Sequence, residues 1–446
     1  MEKITLTRRR LLAGSTCLGL ATLARPAWAQ TMLDGATLGV VPDLSEDQSQ
    51  ALQTALEAAS AQNLPLFLPP GVYRAANLNV PDGMQVIGMP GETVLTLSEG
   101  QTILSVTGRT NVTLDGLAFD GGNGDGGEAR TGLLDIQNSR GVTLSNARFV
   151  NAAGNGLAIF ASEGLVENCT FESVSTALFA LDNVGLVISS NRIRDCRNNG
   201  ILVWRSASGR DGTIVTNNRI SNVAFDAGGN GQNGNGINVF RADEVIVANN
   251  HIADCAFSAV RLNSTNNTQV TGNTCINSSE TAIFSEFAFS GSVIANNIID
   301  AAAVGISIAN LDSEGHLATC TGNIVRNITP NSATNPDTTP AGIFAEADVA
   351  ITGNVIDNVP GPGILAGWGP FLRNVLVNGN IVRNAEVGIA ASVVEDAGSA
   401  QITNNTISGS RRAAIAGMAW QEFRSEKLAE EASRFPNVTV SGNVTG

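Results

Sequence analysis

A motif of the form apolar-x-(Asn/Gly)-Asn-x-apolar, as in Val215–Ile220, recurs down the chain. Its second asparagine falls at Asn191, Asn218, Asn250, Asn273, Asn297, Asn323, Asn354, Asn380, Asn405 and Asn443, once in each of ten successive units. A small residue followed by an apolar one opens a short strand at Gly132, Gly156, Ala177, Gly200, Gly236, Ala259, Ala282, Gly305, Gly342, Gly363, Gly388 and Ala414. The intervals run from 21 to 26 residues, apart from two of 36 and 37. A fixed period of this length is the signature of a solenoid, in which each unit buries its apolar face only by stacking on the next. Every unit holds β-branched strands of period two between Gly and Asn turns, and none carries a helical pattern. That removes ankyrin, TPR and leucine-rich arrays. Parallel stacking lets each Asn amide bond its counterparts above and below. Inward Ile, Val, Leu and Cys then predict a continuous core without large aromatics, in keeping with 5% aromatic residues.

The N-terminal part adds to this pattern. Residues 43–62 have amphipathic helical spacing with Ser45 as N-cap, followed by Leu66-Phe67-Leu68-Pro69-Pro70-Gly71-Val72-Tyr73. Repeat and LPPGxY segment together resemble the right-handed parallel β-helix, or pectin-lyase-like, superfamily over residues 64–446. The resemblance implies an all-β fold: a single-stranded right-handed parallel β-helix of about 22–24 residues per coil with an asparagine ladder. The helix in segment 30–63 is expected to cap one end, and a charged, helix-prone insertion at 419–435 the other.

Residues 1–29 read as an export signal. Thr7-Arg8-Arg9-Arg10-Leu11-Leu12 resembles the twin-arginine consensus, a short apolar stretch follows, and Ala27-Trp28-Ala29 is a small-x-small cleavage site. The resemblance implies passage through the twin-arginine translocase to the periplasm or beyond. With this signal the whole chain is similar to a family of uncharacterised twin-arginine-translocated repeat proteins, which brings no known activity. Cleavage removes five basic residues and one acidic one, taking the net charge from −14 to −18. Lys3 and Lys427 are the only lysines. An acidic, lysine-poor chain does not track phosphates, so nucleic acid is excluded as partner. Beyond the signal no apolar run approaches the roughly 20 residues of a membrane span. Of the five remaining cysteines, Cys196 and Cys255 share a repeat position two coils apart, about 10 Å at strand spacing and beyond disulfide reach. All are read as free thiols.

The repeat breaks twice in the same way. The units opening at Gly200 and Gly305, 105 residues apart, are both expanded at both corners. Segments 222–235 and 328–341 should project from one edge, about 19 Å apart, and segments 205–212 and 310–318 from the other. An earlier insertion, Asp120 to Thr131, occupies the same corner as the first pair. A trough walled by these loops, floored by the opening strands of the Gly236, Ala259 and Ala282 units, is the candidate site.

Alternation places the second and fourth residues after each small residue on the outer wall. This gives Trp204, Asn238, Phe240, Arg261, Asn263, Phe284, Glu286, Phe344 and Glu346. Aromatic faces beside Asn, Arg and Glu suit sugar rings, which stack on one side and need hydrogen bonds at the rim. Glu286 and Glu346 lie two coils apart, about 10 Å, nearer the spacing of inverting than of retaining glycosidases. They are the candidate catalytic pair, with Arg261 either orienting a substrate or pairing with Glu286. His316, beside Glu314, is a third candidate for acid or base. The remaining outer residues are candidate substrate contacts. No cofactor is indicated; Asp226, Asp312, Glu314 and Asp337 could bind Ca²⁺ in loops, but no ligand spacing singles them out. The motifs of polygalacturonases, alginate epimerases and lysine-based lyases are missing. Two readings follow: an exported protein that binds a carbohydrate in the trough, with Glu286 and Glu346 as candidates for cleaving it, or a non-catalytic envelope scaffold or binding rod. Trimerisation along the helix, common in the resembled superfamily, would bury the aromatic wall.

Overall fold

The computed structural model describes residues 32–122 and 130–446. The signal at 1–29 and most of the insertion at 120–131 lie outside them. The chain from Leu66 onward winds as a parallel β-helix, each coil contributing strands to three faces. The opening face carries the small-apolar strands, such as Asn199–Arg210. The middle face carries strands such as Ile214–Thr216, which belong to one 16-stranded parallel sheet. The third face follows the ladder asparagine, as in Arg219–Val223. Opening and third faces merge into one sheet because several strands, Thr274–Glu286 and Val355–Ala366 among them, run unbroken through the corner.

The ladder is continuous from Asn191 to Asn443. In each rung the backbone N–H and the side-chain Nδ2 both donate to the Oδ1 of the next asparagine, at 2.9–3.0 Å. Nδ2 also donates to a main-chain carbonyl, as Asn297 does to Val270 at 2.9 Å. Every polar atom of a buried amide is thereby satisfied. The stack extends one coil further down through the Cys169 N–H, which donates to Asn191. The residue before each rung explains the Asn/Gly half of the motif. From Ser190 to Gly442 it takes φ between 57° and 68°, the left-handed region that Gly and Asn tolerate best.

Inside, Ile, Val, Leu and the five cysteines line the faces, all five thiols free and buried. Burial pushes the thiols of Cys169, Cys196, Cys275 and Cys320 up to about 12. The core does use large aromatics, contrary to expectation. Phe119, Phe149 and Phe171 stack face to face on successive third-face strands, with centroids 4.8 and 4.7 Å apart. In-register parallel strands place identical rings at the strand spacing, so an inward aromatic that repeats becomes a stack.

Both ends depart from the sequence reading. Helix α1 spans Ser49–Ala61, six residues shorter at its start than expected, and buries Leu52, Ala55, Leu56 and Ala59 against the first coil. Ser45 does not cap it. The Asp47 carboxylate accepts from the Ser49 N–H at 2.8 Å and from its hydroxyl at 2.6 Å, because Asp43 to Glu46 are drawn toward the strand at Gly71–Ala75. At the far end, only Leu428–Glu431 forms an α-helix, with Leu428 buried. Residues Glu422–Ser425 instead return antiparallel along Ala413–Ala419. Among the described residues no helix is long and apolar enough to cross a membrane.

Asn297→Ala strips one rung from mid-ladder, leaves the Asn273 N–H without its acceptor and removes the side-chain donor to the Val270 carbonyl. It should cost about 2–4 kcal/mol, whereas Asn443→Ala, at the solvent-facing end, should cost less than half as much. Thermal or urea unfolding followed by circular dichroism checks both.

Candidate functional site

The register brings most of the outer-wall residues into adjoining rows. Leu202, Asn238, Arg261, Phe284, Ser307 and Phe344 pair in sequence across neighbouring strands, as do Trp204, Phe240, Asn263 and Glu286. Six of the predicted residues, Trp204, Asn238, Phe240, Arg261, Asn263 and Glu286, line one cleft of about 350 Å³ together with Asn230, Gly231 and Gln232 of the overlying loop.

Arg261 is the centre of this cleft's wall, and it is engaged. Its Nε and Nη2 donate to the two oxygens of Glu286 at 2.7 and 2.8 Å, a bidentate pair. Its Nη1 donates to Glu280 at 3.1 Å. Asn263 Nδ2 adds a bond to Glu286 at 3.0 Å. All three charged side chains are buried. Burial alone would lower the Arg261 pKa, but Glu286 and Glu280 outweigh it and hold the guanidinium above its ordinary value. The ring of Phe284 lies beneath, its centroid 5.0 Å from the guanidinium carbon. From above, the backbone of Gly231 rests on the guanidinium so closely that any Cβ there would collide with it, and Gly231 has φ 134°. Only glycine suits both demands.

Glu280 was not anticipated from sequence, and it changes the picture of the walls. The 328–341 segment does not stand clear as a separate wall. It folds back over earlier coils, where Asn335 Nδ2 donates to Glu280 at 2.9 Å and the Thr334 hydroxyl to the Ala256 carbonyl at 2.9 Å. Loops 224–234 and 328–340 thus converge on the Arg261 cluster. At the opposite edge, residues 205–210 are not a loop but an extension of the Asn199–Arg210 strand, which pairs with Ala242 and Asp243 after a bulge.

A second cleft of about 480 Å³ lies over the preceding coils and shares Trp204 and Phe240 with the first. Phe179, Leu181 and Leu202 form its floor; Asn199 and Asn233 line its loop side, and the arginines Arg130 and Arg205 its rim, with no carboxylate among the lining residues. Outward rings run edge to face down this wall, Phe160 to Phe179 to Trp204 to Phe240, with centroids 5.5–5.7 Å apart. Trp204 Nε1 donates to Asn238 at 3.3 Å. Phe160 and Phe179 follow the alternation rule in the units opening at Gly156 and Ala177, so the sequence signal for this half existed in earlier coils. Asn199 and Asn235 form a short side ladder that ties down the loop: Asn199 donates to Asn233 at 3.0 Å and Asn235 to the Gly231 carbonyl at 2.9 Å.

The other predicted residues lie outside both clefts. Phe344 packs on an apolar cluster of the outer wall with Leu365, Ala390, Ala416, Trp368 and Phe423. His316 opens a middle-face strand rather than sitting in a loop, and its Nδ1 lies 2.7 Å from the Glu314 carbonyl oxygen. Glu346 is buried two coils from Glu286, its carboxyl bonded to backbone rather than to an arginine side chain. It accepts the Leu311 N–H at 2.7 Å. Burial pushes its carboxyl up to about 7; the Leu311 and Asn310 N–H groups oppose the shift and Asp312 adds to it. No three His, Cys, Asp or Glu side chains among the described residues converge to hold a metal ion.

Because the folded pKa of Glu346 is raised, the stability it confers is full below its ordinary value of 4.5 and is lost as pH rises through about 7. Glu346→Gln should match the parent at pH 4.5 and exceed it by roughly 2–3 kcal/mol at pH 8. Urea unfolding at both pH values checks this.

Solved structures share the architecture. The bacteriophage phi29 gene product 12 N-terminal fragment aligns over 93% of this chain and 66% of its own, with TM-score 0.53 and 14% identity. The catalytic unit of a thermostable α-1,3-glucanase from Streptomyces thermodiastaticus aligns over 95% and 69%, with TM-score 0.48 and 17% identity. PfbA, a surface adhesin of Streptococcus pneumoniae, aligns over 88% and 94%, with TM-score 0.49 and 15% identity. At such identities the likeness concerns fold alone. No curated protein sequence matches the chain. Residues 95–220 and 166–327, together just over half of the chain, match the right handed beta helix region, and the protein belongs to that family.

Proposed function

We propose that this β-helix binds a carbohydrate along its opening face, with the two adjoining clefts as one continuous site. The observation that carries this reading is the aromatic row with Trp204 and Phe240 shared by both clefts. Rings of this kind stack on the apolar faces of sugars, and Asn238 and Arg205 supply hydrogen bonds beside them. The lined coils run from that of Asn155 to that of Glu286, roughly 24 Å at ~4.8 Å per coil, room for an extended oligosaccharide. A net charge of −14 disfavours dense polyanions, so the expected ligand is a neutral glycan or one with isolated acidic groups.

Binding is favoured over hydrolysis. A glycosidase needs two carboxyls free to exchange protons across the scissile bond. Glu286 is held bidentate by Arg261, which fixes it as an acceptor, and Glu346 lines neither cleft. In this reading Glu286 positions Arg261 and the loop above it. Export through the twin-arginine pathway to the periplasm or the medium fits such a role and forms part of the proposal.

Isothermal titration with glycans selected on an array tests the idea, alongside reducing-sugar release. The expected result is binding without release of reducing ends, weakened about tenfold or more by Trp204→Ala, a loss of roughly 1.4 kcal/mol. Absence of binding to any glycan, or unchanged affinity in Trp204→Ala, would overturn the reading. Hydrolysis abolished by Glu286→Gln would replace it with the enzymatic one.

A further inference from the structure

The third face, which takes no part in the site above, carries a stripe of exposed aliphatic residues. The first outward position of its strands runs in register through Arg148, Thr170, Arg192, Arg219, His251 and Thr274. The same position then becomes Ile298, Ile324, Val355 and Ile381 in four consecutive coils. These four side chains are 37–42% exposed. The fold accepts Arg, Thr or His there, so nothing in the coil geometry calls for an aliphatic residue. Four in a row, left open to water, form a contiguous patch rather than scattered surface residues.

The neighbouring outward row supplies the identity of the partner. Over the same four coils it reads Asp300, Arg326, Asp357, Arg383, each paired with the next across the strands. Arg326 Nη2 lies 2.7 Å from Asp300 and Arg383 Nε 3.7 Å from Asp357, with both arginines more than half exposed. An alternating acid–base order is complementary to its own reverse. A two-fold axis lying in the interface along the strands, midway between the coils of Ile324 and Val355, reverses the coil order and keeps each row on itself. Ile298 then faces Ile381 of a second copy and Ile324 faces Val355. Asp300 faces Arg383 and Arg326 faces Asp357. Parallel solenoids would instead lay the aliphatic stripe on the charged row.

We propose that the third face, over the coils from Ile298 to Ile381, is the contact of an antiparallel two-fold dimer of this chain. It is an isologous interface in which one patch meets itself, and it replaces the trimer implied by the superfamily resemblance. The patch is short, roughly 14 Å from first coil to last. It therefore falls below the standard size of a stable interface and makes a weak, reversible dimer. The opening face stays free on both copies, so glycan binding and pairing are independent.

Sedimentation equilibrium on the full chain should show monomer giving way to dimer between roughly 10 μM and 1 mM, with Ile324→Glu shifting the midpoint at least tenfold while the circular dichroism stays unchanged. Oxidative cross-linking in a Cys17→Ser background fixes the orientation, since the five thiols among the described residues are buried. A mixture of Ile298→Cys and Ile381→Cys proteins should form a disulfide-linked heterodimer. Either variant alone should not, because its own sulfurs would lie three coils apart, beyond disulfide reach. Monomer throughout the range, undiminished dimerisation of Ile324→Glu, or cross-linking of Ile298→Cys alone as fast as the mixture would each overturn the proposal.

Discussion

The bond on which the rest depends is the one between an asparagine Oδ1 and the two donors of the asparagine one coil below. A parallel sheet by itself tolerates slippage, because its backbone bonds look alike at every second residue. A buried amide does not, since moving it by one position leaves two donors and an acceptor unmet in the interior. The ladder therefore locks every coil to its neighbours, and outward side chains become straight rows running along the solenoid. The aromatic row, the Arg261 cluster and the aliphatic stripe are all consequences of that lock.

Two glutamates on equivalent positions show how neighbours decide chemistry. Glu286 has a guanidinium against both its oxygens and is fixed as one arm of a buried ion network. Glu346, buried with backbone N–H groups as its hydrogen-bond partners and the Asp312 charge nearby, is driven toward its protonated form. The two differ in what meets the carboxylate: a guanidinium for one, backbone N–H groups for the other. Arg261 in turn carries two carboxylates, and that double demand recruits Asn263, Asn335 and the bare backbone of Gly231. A buried cluster of this kind lends little to stability but specifies one arrangement of the loops around it.

Periodicity made the repeating part of the molecule legible. The ladder asparagines, the free thiols, the inward and outward alternation and the placing of Trp204, Asn238, Phe240, Arg261, Asn263 and Glu286 on one wall all follow from spacing, because a solenoid converts sequence position directly into spatial position. Legibility stopped where the repeat did. The length of segment 328–341 marks it as an insertion but carries no information on direction, so its return over Ala256 and Glu280 was invisible. Glu280 itself sits at a corner, where alternation gives no side. Phe344 obeys the outward rule yet joins a different cluster, because Leu365, Ala390 and Ala416 follow it in register on the next coils and the chain that turns back after Ala419 adds Phe423 at the far end. The start of α1 differs for a related reason: the strand at Gly71–Ala75 holds Asp43, so the helix begins only after Gln48.

The five cysteines strung along the interior have a use beyond packing. Burial holds these thiols well above the ordinary thiol range, so they stay protonated and shielded while the coils are closed. A sulfhydryl reagent therefore reports only on moments when a coil parts from its neighbours. Because Cys169, Cys196, Cys255, Cys275 and Cys320 occupy different coils, the molecule carries its own gauge of where breathing begins and how far it spreads.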